Sequence, residues 1–134
     1  MTIQYDATHR ANNMGDLVSR AGATAFILLY SAAAANCAAA ASGTLLASIP
    51  CNNPIGTVAS GVLTFNVSGM SVSSGVVAGT AVQWRLCTSS GGTTCIAQGD
   101  VGTTGASIDF AGGPTFAAGQ TVQITGLTIT AAGA

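Results

Sequence analysis

Residues 26–47 read FILLYSAAAANCAAAASGTLLA, and with AGATA ahead of them they form one of the most apolar passages of the chain. How this passage folds decides the class of protein: it either crosses a bilayer as one helix or breaks into shorter elements of a folded domain. The run from Ala21 to Ala41 meets the length of a span, which needs about 20 apolar residues, and Arg20 stands at its edge. Only FILLY is strongly lipophilic, however. The alanine-rich half is interrupted by Ser31, Asn36 and Cys37, and no aromatic or basic anchor follows it. A secretory leader fits no better, because the preceding region holds Asp6 and Asp16 and has helical amphipathic spacing. The passage therefore parses as a buried strand, ATAFILLYS, a small-residue loop, AAAANCAAAASG, and a second strand, TLLASI. A loop of alanines is smooth and uncharged, so Ala34 and Ala39 are expected at a contact with a neighbouring subunit.

Upstream of this passage, DATHRANNMGDLVSRAG places Ala7, Ala11, Met14, Leu17, Val18 and Ala21 on one helical face. Asp6 is a suitable N-cap, and Gly22 stands where a left-handed C-terminal residue belongs. Asp6 with Arg10, and Asp16 with Arg20, are i,i+4 pairs in the favourable acid-first order. Gly15 and the Asn12–Asn13 pair weaken the helix by about 1 kcal/mol or more, so it needs a surface to pack on. Met14, Leu17 and Val18 are expected to supply that contact, against the β body or against symmetry mates. Residues 1–22 thus read as a helical arm and residues 23–134 as one β domain.

Downstream, short apolar runs alternate with Gly, Ser and Thr clusters at the pace of an all-β sandwich of about seven or eight strands. ATAFILLYS is apolar on both faces, as in a central strand. GTLLASI sets Leu45, Ala47 and Ile49 on one face, and GVLTFNVS does the same with Leu63, Phe65 and Val67. AVQWRLC gathers Val82, Trp84 and Leu86, with Gln83, Arg85 and Cys87 opposite. A hairpin centred on Gly91 sets Cys87 opposite Cys95, Leu86 opposite Ile96 and Trp84 opposite Gln98. SIDF turns Ile108 and Phe110 inward. In QTVQITGLTITA the apolar parity switches at Gly126, which predicts a bulge or bend there. The fold class is mainly β: a single antiparallel β-sandwich, jelly-roll-like, preceded by a short N-terminal α-helix.

Composition narrows the function. Of 134 residues only 5% are charged, with no Lys and no Glu, where about a quarter is usual in soluble domains. A net charge of −1 with three arginines cannot supply the phosphate contacts of a nucleic-acid binder. The same scarcity leaves little repulsion between copies, which favours assembly.

The four cysteines, Cys37, Cys51, Cys87 and Cys95, contain no CxxC pair, and His9 is the one histidine, so neither a metal site nor a cofactor is expected. Three disulfide connectivities are open. The hairpin favours Cys87 with Cys95, leaving Cys37 with Cys51; the alternative is four reduced, buried thiols. No enzyme is expected either, since no base stands by the Ser and Thr hydroxyls and Asp100 and Asp109 have no spacing that marks an acid pair. The Gly-rich segments TSSGGTT and AGGPTF are turn chemistry, since neither leads into a helix with a Lys. Arg85, the one charge inside a strong strand, is expected to pair with Asp100 or Asp109, or to reach a neighbouring subunit.

The succession of a short helix, an ILLY strand, SAAAANCAAAASGTLLA, WRLCTSSGGTTCIAQGDVG and a TVQITGLTITAA ending resembles a group of small structural proteins of tailed bacteriophages and prophages. The resemblance runs from about Asp6 to Ala132 and is marked by NCAAAASGTLLA and TTCIAQGDVG; Cys51 and Cys87 lie outside the pattern. Some proteins of this look are similar to capsid cement or decoration proteins. The resemblance implies a virion protein on the capsid surface, made in the host cytoplasm without a signal peptide. It also implies an all-β body and symmetric homo-oligomers, with a trimer favoured. The major capsid protein is the implied partner, with no nucleic acid and no membrane. A tail or fibre component, including one that binds a host glycan receptor, is the alternative.

Overall fold

Each apolar run becomes a strand only for as long as its alternation lasts, and turn-forming residues cut the runs short. A computed structural model describes residues 3–110 and 112–132. Among the described residues there are one helix, α1 (Ala7–Ala21), and twelve strands, more and shorter than the expected seven or eight. The protein is mainly β with a single N-terminal helix, as the sequence predicts.

The largest sheet has five strands. In it β1 (Phe26–Tyr30) lies between β2 (Leu45–Pro50), at one edge, and β7 (Gln83–Cys87), the middle strand. Beyond β7 come β8 (Cys95–Gly102) and the short β9 (Ile108–Asp109). All neighbours run antiparallel except β9, which joins β8 in parallel through Val101 and Ile108. FILLY is apolar on both faces because both are covered: Ile27 and Leu29 enter the main core, while Leu28 and Tyr30 join a second cluster with Cys87. Full burial of each such aliphatic side chain contributes about 1.5–3 kcal/mol.

A three-stranded sheet forms from β3 (Gly56–Ala59), β4 (Val62–Phe65) and β12 (Thr128–Thr130), with β4 in the centre. Two-stranded ribbons pair β5 (Ser71–Val72) with β11 (Val122–Gln123), and β6 (Gly79–Thr80) with β10 (Thr115–Phe116). One apolar cluster takes Ile27, Leu29, Ile49 and Leu86 from the large sheet, and Leu63 and Phe65 from the three-stranded one. The parity switch at Gly126 is more than a bulge. It separates β11 from β12, which pair with different partners, so Val122 and Ile124 face inward in one register and Leu127 in the next.

One strand departs from simple alternation. Between Leu29 and Tyr30 the register of β1 on β2 shifts, so Ala47 pairs with Leu29 but Leu45 pairs with Tyr30. The extra residue, Leu46, turns into the main core, and Leu45 moves to the opposite face. Leu45 therefore does not share a face with Ala47 and Ile49, as strict alternation predicted. Val82 also leaves its expected place: it precedes β7 and is exposed, while Trp84 and Leu86 are in the core.

The helix forms where its signals place it. Asp6 caps it by accepting a hydrogen bond from the His9 amide at 2.7 Å, and Gly22 ends it with a φ of 68°. Arg10 does not meet Asp6 head-on; its Nε donates to the Tyr5 carbonyl at 3.2 Å. Met14, Leu17 and Val18 pack against the main core, the first of the two surfaces foreseen for them. The helix is thus docked on the β body.

Candidate functional site

The two faces of the five-stranded sheet differ in chemistry. Trp84 and Leu86 of β7 enter the main core, whereas Gln83, Arg85 and Cys87 alternate to the other face, joined there by Gln98 of β8. A polar row of this kind is ordinarily left to solvent. Here all five residues of β7 are buried, because the alanine-rich segment between β1 and β2 folds back over them. The ends of that loop are clamped together: Ser31 N donates to the Thr44 carbonyl at 3.1 Å, and Thr44 N to Ser31 Oγ at 2.8 Å.

The loop is held by its backbone. Ala34 N donates to Gln83 Oε1 at 3.0 Å, and the Ala34 carbonyl accepts from Gln83 Nε2 and Gln98 Nε2, both at 3.2 Å. Farther on, Asn36 Oδ1 accepts from the amides of Ala38 and Ala39 at 2.9 and 3.0 Å, which folds the chain into an Asx-type turn. The Asn36 and Ala39 carbonyls of that turn both accept from Arg85 Nη2, at 3.0 and 2.9 Å. Long polar side chains on the sheet thus serve main-chain groups of the loop. That requires the loop backbone to lie close, which methyl side chains permit. Contact within the chain accounts for Ala34, which at 8% exposed is not available to a neighbouring subunit, contrary to expectation, while Ala33, Ala35, Ala38, Ala40 and Ala41 are exposed. Ala39 remains partly exposed.

The covalent tie differs from the expected one. Cys87 does lie opposite Cys95, but a register shift between Leu86 and Cys87 sets Leu86 against Ala97 and Trp84 against Gly99, rather than against Ile96 and Gln98. The covering loop brings Cys37 onto Cys95, with Cα atoms 5.2 Å apart, and the disulfide joins these two. Neither Cys87–Cys95 nor Cys37–Cys51 forms; Cys51 and Cys87 are free thiols. Burial pushes the Cys51 thiol up to about 12. Burial also raises Cys87, against a smaller lowering by the nearby Arg85 charge. Both are protonated near neutral pH, which makes them poor nucleophiles.

The expected ion pair of Arg85 with Asp100 or Asp109 is replaced by these carbonyl contacts. Asp100 is an exposed residue that accepts from Ser107 N at 2.9 Å and Ser107 Oγ at 2.8 Å, bonds that hold its carboxyl below the usual value. Asp109 accepts from the Ala106 amide at 3.0 Å. Both carboxylates thus organise the turn between β8 and β9. His9 is exposed on α1, its ring centroid 4.6 Å from that of Tyr5.

Two hollows accompany this framework. One of about 410 Å³ lies between the alanine loop and the β7–β8 turn, with Arg85, Thr93 and the Cys37–Cys95 bridge in its wall. The other, of about 290 Å³, is lined in part by Asp109, Phe110, Gln120 and Gln123. Among the described residues, no helix is long and apolar enough to cross a membrane, and no three His, Cys, Asp or Glu side chains converge. Comparison with known protein families, with curated proteins and with solved structures finds no match.

The sequence singled out Arg85, Cys37 and Cys95 but not Gln83, Gln98 and Asn36. The available signal was the interruption of apolar runs: two polar residues inside AVQWRLC and a lone Asn in an alanine tract each need a hydrogen-bonding partner once buried.

Proposed function

We propose that this chain is a bacteriophage virion structural protein, a cement or decoration protein that binds the outer surface of the head and stabilises contacts between capsomers. The observation that carries the proposal is the near absence of charge: seven ionisable Arg and Asp side chains in 134 residues, no Lys and no Glu. A surface of that composition resists association weakly and suits permanent packing against a large partner. The sequence resemblance to small tailed-phage structural proteins points the same way.

In this reading the five- and three-stranded sheets form the two layers of one antiparallel, jelly-roll-like sandwich. Copies assemble as trimers, and the major capsid protein is the partner. The exposed Ala38, Ala40 and Ala41 of the loop, with the exposed Ile3, Tyr5, Val77 and Val82, supply apolar contact area. Multivalent attachment of a trimer stabilises the shell without strong single contacts. Neither catalysis nor a cofactor enters this role. The glycan-binding alternative has less support, since sugars dock on exposed aromatic faces and, although Tyr5 is exposed, Tyr30, Trp84, Phe65 and Phe116 are buried.

Purified protein mixed with expanded phage heads and centrifuged through a sucrose cushion is expected to co-sediment at a fixed ratio to capsid subunits. Protein that stays in the supernatant while heads pellet would remove the cement reading. Ala40→Asp on the exposed side of the loop is expected to weaken co-sedimentation.

A further inference from the structure

Arg85 presents a problem of charge. It is 2% exposed and its guanidinium is a permanent cation, yet its hydrogen-bond partners are two neutral carbonyls, and its Nε has no partner. A buried cation ordinarily needs a counter-charge, because desolvation costs several kcal/mol that neutral dipoles offset only in part. The four aspartate side chains lie elsewhere. Asp6 caps α1, Asp100 and Asp109 order the β8–β9 turn, and Asp16 is exposed on α1. That helix packs on the main core, which lies across the sheet from Arg85. The groups whose titration Arg85 affects, Tyr30 and Cys87, are both pushed upward by burial and so stay neutral near pH 7.

Arg85 also stands in the wall of the 410 Å³ hollow. No acidic residue lines that hollow, nor any second basic one. Its remaining wall is alanine, glycine, the disulfide and Thr93, whose hydroxyl is a further donor.

We propose that this hollow is an anion site that takes a carboxylate on a short aliphatic stem, with Arg85 as its counter-charge. One cation matches one negative charge, so a monocarboxylate fits better than a phosphate dianion. The alanine methyls and the Cys37–Cys95 bridge suit the hydrocarbon stem, and a charge-assisted hydrogen bond from Arg85 is stronger than a neutral one. Two sources present that chemistry, a free short-chain carboxylic acid and the side chain of Asp or Glu on another polypeptide. The proposal is independent of the virion reading and is tested on the isolated protein.

With ¹⁵N-labelled protein, the Nε–Hε resonances of the three arginines can be followed at constant ionic strength. Sodium propionate is expected to shift one of them saturably, sodium chloride is not, and the shifting resonance is the one missing from Arg85→Lys. Should Arg85→Lys fail to fold, Ala40→Leu narrows the hollow without touching the guanidinium and is expected to lower propionate affinity at least tenfold. The peptide Ac-Ala-Glu-Ala-NH2 separates the sources. A shift matching that of propionate supports a polypeptide side chain, and a shift with propionate alone supports a free acid. No saturable shift at the Arg85 resonance with either probe, or equal shifts with chloride, overturns the proposal.

Discussion

The two faces of the five-stranded sheet are buried by different means, although the loop face also holds the apolar cluster of Leu28, Tyr30 and Cys87. On one, Ile27, Leu29, Trp84 and Leu86 meet the apolar side chains of other elements, in contacts that are non-directional and scale with area. On the other, Gln83, Arg85 and Gln98 meet the main chain of a loop through named hydrogen bonds, each of which fails if the loop shifts by an ångström or two. The first kind of burial stabilises the protein; the second fixes where a segment without regular structure lies. A loop with scarcely any side chains of its own can be placed accurately when the sheet beneath supplies the donors and acceptors.

Leu86→Ala tests the apolar face. The side chain is fully buried at the centre of the sheet, so the change is expected to cost about 2–5 kcal/mol, read as a fall in the denaturant midpoint at unchanged m-value. The loop face has its own strongest tie in Cys37–Cys95, which spans 58 residues of sequence. Replacing both cysteines by serine is expected to cost about 2–4 kcal/mol in the same measurement. Limited proteolysis should then cut first within the alanine loop, whereas Leu86→Ala should not expose that loop selectively. Cutting that begins elsewhere in the double serine variant would erase the contrast between the faces.

Gln83→Ala removes the partner of Ala34 N and one of the two donors to the Ala34 carbonyl, and is expected to cost about 1–3 kcal/mol. Hydrogen exchange should show the loss concentrated at the Ala34 amide, with the amides of β4 unchanged. The smallest effect belongs to Asp100, exposed in β8 opposite Gln83. Its carboxyl is lowered in the fold chiefly by the Ser107 amide, then by the Ser107 hydroxyl, so its contribution is present above the ordinary carboxylate value of 3.8. It is lost as pH falls through the lower folded value, because there the folded protein must take up the proton that the unfolded chain already holds. Stability of Asp100→Asn should therefore fall less steeply than that of the parent as pH is lowered below 3.8.

The apolar face was legible in the sequence because alternation reports it directly. FILLY announced a strand covered on both sides, GVLTFNVS gave Leu63 and Phe65 to the core, and Asp6 and Gly22 bounded the helix. What escaped was whatever depends on pairing between distant segments. Leu46 entered the core through a bulge set by β1, and the shift beside Cys87 moved the rest of the hairpin by one residue. The disulfide escaped for the same reason: a hairpin argument sees Cys87 opposite Cys95, but Cys37 arrives from a loop that carries no periodicity. The Ala34 expectation failed because composition alone says that a surface is smooth, not what covers it or what it covers.

The bridge between Cys37 and Cys95 closes a covalent ring that contains β2 through β7. Any single backbone cut inside that ring, for example at the exposed Ser73–Gly75 turn, leaves two pieces that still travel as one molecule. They separate only when the bridge is also reduced. A protease must therefore cut twice within the ring to release a fragment from it, so damage at one exposed turn of the ring sheds no material from the molecule.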